Sequence, residues 1–137
     1  MGIVKKDIEN RQNIDDLLAA FYEVAMVDPL IGHHFDDLDL AAHLPVIGDF
    51  WEKALFGRPV YFSNPMIVHQ KLHAAVPLKP EHFSCWIEIF VATVDRLFEG
   101  EMADNAKMRA RMIADSMNQR LNPELQATAL KNFQRFS

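Results

Sequence analysis

Helical periodicity fills nearly every stretch of this chain that shows a pattern, and it leaves little room for any fold but an all-α one. Ile14, Leu17, Leu18, Phe21 and Ala25 follow the i, i+3, i+4, i+7 spacing of one helix face. Asp28-Pro29 stops that helix, because the residue before a proline is pushed out of the α region. Leu40, Leu44, Ile47, Trp51 and Leu55 predict a second helix that ends at Gly57. Pro45 falls inside it, early enough to sit near the first turn or to kink it. Asn64-Pro65 starts a short third helix, with proline at a permitted position. Pro80 opens a fourth in the same way. Its stripe of Phe83, Trp86, Ile87, Phe90, Val94 and Leu97 is the cleanest in the chain, and Gly100 closes it. Ala106, Ala110, Ile113, Met117 and Leu121 predict a fifth helix, broken at Asn122-Pro123, and residues 124–136 suit a further surface helix. No strand alternation or Asn-Gly or Asp-Gly hairpin turn competes with this pattern. The expectation is four to six helices joined by short connections.

The second helix is unusual. His43, Ile47, Phe50 and Ala54 run beside its main stripe, so it is apolar over two adjacent sides. Such a helix must touch two things. One is the protein core, and the other could be a flat apolar ligand.

Composition narrows the function classes. The 137 residues fit one domain, and half of them are apolar, enough to bury a core. Fourteen basic against nineteen acidic side chains give a net charge of −5, which argues against nucleic acid as a partner. The single cysteine, Cys85, cannot form an internal disulfide and suits a reducing compartment. Met1 to Asn10 carries charges and leads into no apolar signal region, and no uncharged apolar run approaches the ~18 residues of a membrane span. The expectation is a soluble cytoplasmic protein that uses no membrane.

Chemistry has few places to reside. There is no P-loop, GxGxxG, nucleophile elbow or paired-carboxylate spacing. His69 and His73 stand one helical turn apart, a spacing that can hold zinc, but no HExxH or cysteine pair completes a site. His33-His34, beside Asp36 and Asp37, reads as a solvated loop, and His82 as a surface residue in the first turn of a helix. Four residues carry a polar tip on an apolar-facing position: Tyr22, His43, His69 and Trp86. Singly, each reads as a core residue with a satisfied polar atom. Together they suggest one polar cluster inside an apolar cavity.

At this point the chain resembles the truncated haemoglobins, and among them the third group. The resemblance rests on five pieces in order. They are Phe21-Tyr22-Glu23 with Asp28-Pro29-Leu30-Ile31-Gly32 and Phe35; His43-Leu44 with Asp49-Phe50-Trp51 and Leu55-Phe56-Gly57; Asn64-Pro65-Met66 with His69; Pro77-Leu78 and Glu81-His82-Phe83 with Trp86, Phe90 and Thr93-Val94-Asp95; and Arg109-Ala110 with Ile113-Ala114. No piece is specific alone, but the ordered set covers about residues 10–121. The resemblance implies a single globin domain over 1–137, a two-over-two helical sandwich enclosing haem b, with 122–137 as a C-terminal extension. His33-His34 departs from the family's pattern, where a proline or an apolar residue is expected.

The resemblance also implies roles. His69 is the proximal iron ligand, the one metal-binding residue. Tyr22, His43 and Trp86 face the gaseous ligand, with Tyr22 and Trp86 converging from different helices. Phe35, His43, Phe50, Trp51, Tyr61, Met66, His69 and Trp86 contact the cofactor. The implied function is binding of O2, NO, CO or another small haem ligand, serving NO or peroxide detoxification or redox chemistry rather than bulk oxygen transport. NO dioxygenase- or peroxidase-like turnover would need a reductase partner that the sequence does not name. The alternatives are a haem-based gas sensor and a haem-free globin-like interaction module.

Overall fold

The structure, a computed structural model, describes residues 4–61 and 64–123. The elements are α1 (Arg11–Ala25), a short 3-10 helix (Gly32–Phe35), α2 (Leu40–Phe56), α3 (Pro65–Ala75), α4 (Pro80–Leu97) and α5 (Glu101–Leu121). No strand occurs among the described residues, and no helix there is long and apolar enough to cross a membrane. The helix expected over 124–136 lies outside the described residues.

Each start follows from a local donor problem, since the first backbone N–H groups of a helix have no partner within it. Asn10 accepts from Asn13 N–H at the start of α1, Asp39 from Ala42 N–H at α2 and Asn64 from Met66 N–H at α3. Pro65 and Pro80 occupy first-turn positions of α3 and α4. Pro45 lies inside α2, which continues through it as one helix. The Pro45 carbonyl accepts from Arg11 Nη2 at 3.0 Å.

The helices pack as two pairs, one over the other. α1 lies on α2, α4 runs along α5, and α1–α4 and α2–α5 contacts join the pairs. This is the two-over-two arrangement that the sequence resemblance implied. The shared core takes Ile14, Leu17 and Phe21 from α1, Trp51 from α2, and Phe90 and Val94 from α4, all buried. α5 offers alanines to it, with Ala103, Ala106 and Ala110 buried, so its backbone can lie close to α4. Phe90 is the centre of an aromatic column. Trp51 stacks on it at 5.1 Å and Trp86 at 5.4 Å, while Phe21 meets it edge-on.

Three polar clasps fix the frame. Arg11 joins α1 to α2 by donating to Asp49 at 2.8 Å and to the buried Glu52 at 2.9 Å. Gly48 permits this, because a Cβ there would collide with the Arg11 guanidinium. Asp28 holds the loop after α1, accepting from Leu30 N–H, Ile31 N–H and the Cys85 thiol of α4.

Asp7 makes the third clasp, from the N-terminal stretch to the start of α5. Its carboxylate accepts from Met102 N–H at 2.9 Å and from Ala103 N–H at 2.8 Å. Gly100, at φ 144°, leaves the space, since a Cβ there would meet the Asp7 carboxylate. Burial alone would raise the Asp7 pKa. The N–H groups of Met102, Ala103 and Ile8 outweigh it and hold the pKa below 3.8. Asp7→Ala is expected to cost about 1–2 kcal/mol of stability at neutral pH, the size of a lost helix cap. A folded pKa below the unfolded one makes the pH-dependent part of this contribution complete above the unfolded value. It fades as pH falls through 3.8 towards the lower folded value. Urea unfolding of both proteins at neutral pH and near pH 3 checks it: the gap should narrow in acid.

Candidate functional site

The main cavity of the described structure has a volume of about 380 Å³ and is walled by α1, the 3-10 helix, α2, α3, α4 and α5. Its chemistry is built helix by helix. α1 contributes Leu18, Phe21 and Tyr22, and α2 contributes His43, Ile47, Phe50 and Trp51. Of the second apolar side expected on α2, His43, Ile47 and Phe50 reach the cavity and Ala54 does not, while Trp51 comes from the main stripe.

α3 is placed differently from the other helices. It touches the helical body chiefly through α5, and none of its described side chains is fully buried. Pro65, Val68, His69, Leu72 and Ala75 face the cavity. Val68 is 56% exposed, although it lies on the cavity wall.

His69 is fixed within α3. Its Nδ1 lies 2.7 Å from the Pro65 carbonyl, an acceptor, so Nδ1 carries the proton and donates. In the neutral ring the lone pair is then on Nε2. That is the arrangement in which a backbone carbonyl sets the tautomer of a metal-ligating histidine.

On the α1–α2 side, Tyr22 Oη and His43 Nε2 are 2.7 Å apart. Burial pushes the Tyr22 phenol well above its ordinary value of 10.0, so it stays protonated. Burial also lowers the proton affinity of His43, and the charge that His69 can carry lowers it further. Tyr22 packs edge-on against Phe35 at 5.6 Å, which holds its ring between the 3-10 helix and α1. Trp86 lies on the wall in its stack with Phe90 and can present an indole N–H donor.

The structure therefore brings Tyr22, Phe35, His43, Phe50, Trp51, His69 and Trp86 to one cavity. It does not bring Tyr61 or Met66 to the wall. Tyr61 is buried behind Phe50, edge-on at 5.4 Å, and supports that ring from outside the cavity. Met66 is half-buried in the first turn of α3, one residue off the row that faces inward. Within the protein the hydrogen-bond partner of Tyr22 is His43.

Two histidine readings need correction. His34 is buried, not part of a solvated loop, because its Nε2 reaches the Pro77 carbonyl at 3.2 Å and its ring fills the gap before α4. His82 is half-buried rather than a free surface residue, and its Nδ1 accepts from Lys79 N–H at 2.9 Å. The sequence reading also missed Val68, Leu72 and Val76 as wall residues. Their spacing from Pro65 and His69 was a visible signal, masked by the shortness of the helix.

The comparisons with known proteins point the same way. No family model matches the chain. Over 117 residues it is 29% identical to group 3 truncated haemoglobin ctb of Campylobacter jejuni subsp. jejuni serotype O:2, covering 81% of this chain and 90% of that one. Its fold matches the crystal structure of a group III truncated haemoglobin from Campylobacter jejuni with a TM-score of 0.76 and 28% identity, over 86% of this chain and 95% of that one. The resemblance carried by the five sequence pieces thus holds in both sequence and fold.

The buried phenols make the polar side of the cavity testable on its own. The chain has two tyrosines, and burial raises the pKa of both Tyr22 and Tyr61 above 10.0. Spectrophotometric titration of the folded protein should show less tyrosinate at pH 10 than the unfolded chain, with Tyr22 the later to ionise. The urea-unfolded chain should titrate both near the ordinary value of about 10.

Proposed function

We propose that this chain, which matches group 3 truncated haemoglobin in sequence and fold, holds haem b in the cavity between α2 and α3 through His69 and takes up small gaseous ligands, O2 among them. The observation that carries the reading is the His69 tautomer: a Pro65 carbonyl holds Nδ1–H, and Nε2 is left with a lone pair in an apolar cavity. The wall fits the group. Ile47, Phe50, Val68 and Leu72 offer flat apolar area, and a planar cofactor would cover the side of α3 that packs on no other helix.

Haem would supply an iron centre able to take a diatomic gas. The chain's own residues select among gases. Tyr22 and Trp86 offer an O–H and an N–H inside a cavity of low dielectric, where a donor favours a partner carrying negative charge. O2 polarised by electron donation accepts such bonds, and CO does so far less. His43 controls the hydroxyl. A His43 that accepts from Tyr22 takes up its one proton, and a His43 that donates through Nε2–H leaves that proton free to point into the cavity. Strong retention of O2 suits NO or peroxide chemistry, with electrons from a separate reductase, better than release on demand.

A haem-loaded preparation tests the assignment. His69→Ala should lose the axial-ligand signature in the ferrous spectrum while circular dichroism shows the helices intact. An unchanged ferrous spectrum would sink the role of His69. Tyr22→Phe should speed O2 release roughly ten- to a hundredfold, the kinetic equivalent of a hydrogen bond to a charged partner at about 1.5–3 kcal/mol. CO release should change much less. Stopped-flow mixing with Trp86→Phe and the double variant then shows whether the two donors act together.

A further inference from the structure

A second set of imidazoles lines the same cavity, and the function proposed above does not use it. His33 and His34 come from the 3-10 helix and His82 from the first turn of α4. One nitrogen from each lies within 4.8 Å of the others. The rings crowd together, with centroids 4.1 Å apart for His33–His34, 4.6 Å for His34–His82 and 5.9 Å for His33–His82. No carboxylate belongs to the group, although Glu81 and Lys79 are close enough to His82 to act on its charge.

His34 supplies the independent observation. It is 91% buried by its 9% exposure, and its Nε2 faces the Pro77 carbonyl, so Nε2 carries the proton. Nδ1 then holds the lone pair. That atom is buried and has no hydrogen-bond partner among the described residues. A buried acceptor without a donor calls for an explanation, and an ion is one of the few available. The rings packed against it, His33 and His82, are imidazoles, which are themselves metal ligands.

We propose that His33, His34 and His82 form a binding site for a divalent transition-metal ion of the zinc class, separate from His69 and closing the 3-10 helix onto the start of α4. Three imidazoles suit zinc, copper and nickel, and a three-histidine zinc site keeps a fourth position for water or another ligand. Zinc–nitrogen bonds near 2.0–2.1 Å in tetrahedral array put ligand nitrogens about 3.3 Å apart. The rings must therefore close by at most about 1.5 Å from their present spacing. His33 is exposed and free to swing, while His34 is held in place by Pro77. The single lone pair of neutral His82 is held by Lys79 N–H, so the metal competes with that amide for it. All three rings also line the main cavity, so the proposal rests on the cofactor proposed above leaving them free, and it is tested with that cofactor in place.

Zinc is titrated into haem-loaded protein near pH 7.5 by calorimetry, with metal counted by mass spectrometry after dialysis. One zinc per chain is expected, released as pH falls and protons compete for the imidazoles. His33→Ala and His82→Ala should each weaken binding by at least about tenfold, the least that changes to outer partners alone bring about. His33 is exposed, so its replacement leaves the fold intact and separates ligand loss from unfolding. His73→Ala should bind zinc as the wild type does, because His73 Nδ1 is engaged by Leu78 N–H outside the cluster. Absence of stoichiometric zinc in the haem-loaded protein overturns the proposal. So does binding that His33→Ala and His82→Ala leave unchanged.

Discussion

The organising constraint is that α2 must satisfy two apolar faces at once. Trp51 and Leu55 sink into the core with α1, and His43, Ile47 and Phe50 turn to the cavity. A helix with one apolar stripe could be covered by a single neighbour, but a helix with two needs the body on one side and something else on the other. The rest of the architecture follows. Arg11 clamps α2 to α1 from the polar side, with Gly48 as the slot for its guanidinium. α3 stands opposite the main body as the far wall. Trp51 links the two functions of α2, because it both stacks on Phe90 in the core and lines the cavity.

Much of this was legible in the sequence. The periodic stripes of α1, α4 and α5 became buried faces, and Pro29, Gly57, Pro65, Pro80 and Gly100 marked boundaries that the backbone respects. The wide arc of α2 signalled the cavity. What could not be read was set by contacts between residues far apart in the chain. His34 looks solvated beside Asp36 and Asp37, and only the Pro77 carbonyl, 43 residues away, makes it a buried group. Tyr61 sits among turn residues and gives no sign that it supports Phe50 from behind. Met66 and Val68 are both apolar and close together on a helix of 11 residues, and about three turns are too few to fix which one faces inward.

The histidines show how one residue type takes different tasks from the backbone group beside it. The Pro65 carbonyl takes the Nδ1 proton of His69 and leaves its Nε2 basic. The Pro77 carbonyl takes the Nε2 proton of His34 and leaves its Nδ1 basic. At His73 and His82 the roles reverse, and an amide N–H donates to Nδ1. At His43 the partner is a phenol, which can both donate and accept, so that histidine alone has a proton assignment able to change without breaking its hydrogen bond. The chemistry of each ring is thus decided by which backbone or side-chain atom its nearer nitrogen meets.

The strap formed by the N-terminal stretch bears on the order in which the molecule assembles. Asp7 reaches groups 95 and 96 residues further along, and Lys6 accepts from Glu99 N–H beside it. No part of this joint can exist until the chain has reached the start of α5, and closing so long a loop is entropically costly before the helices have packed. The local contacts within α1 and between α4 and α5 carry no such delay. The strap therefore belongs to the late steps of folding, where an interaction slows unfolding much more than it speeds folding. Its contribution is to the lifetime of the finished protein: it ties the beginning of the chain to the corner where α4 gives way to α5, and holds that corner shut.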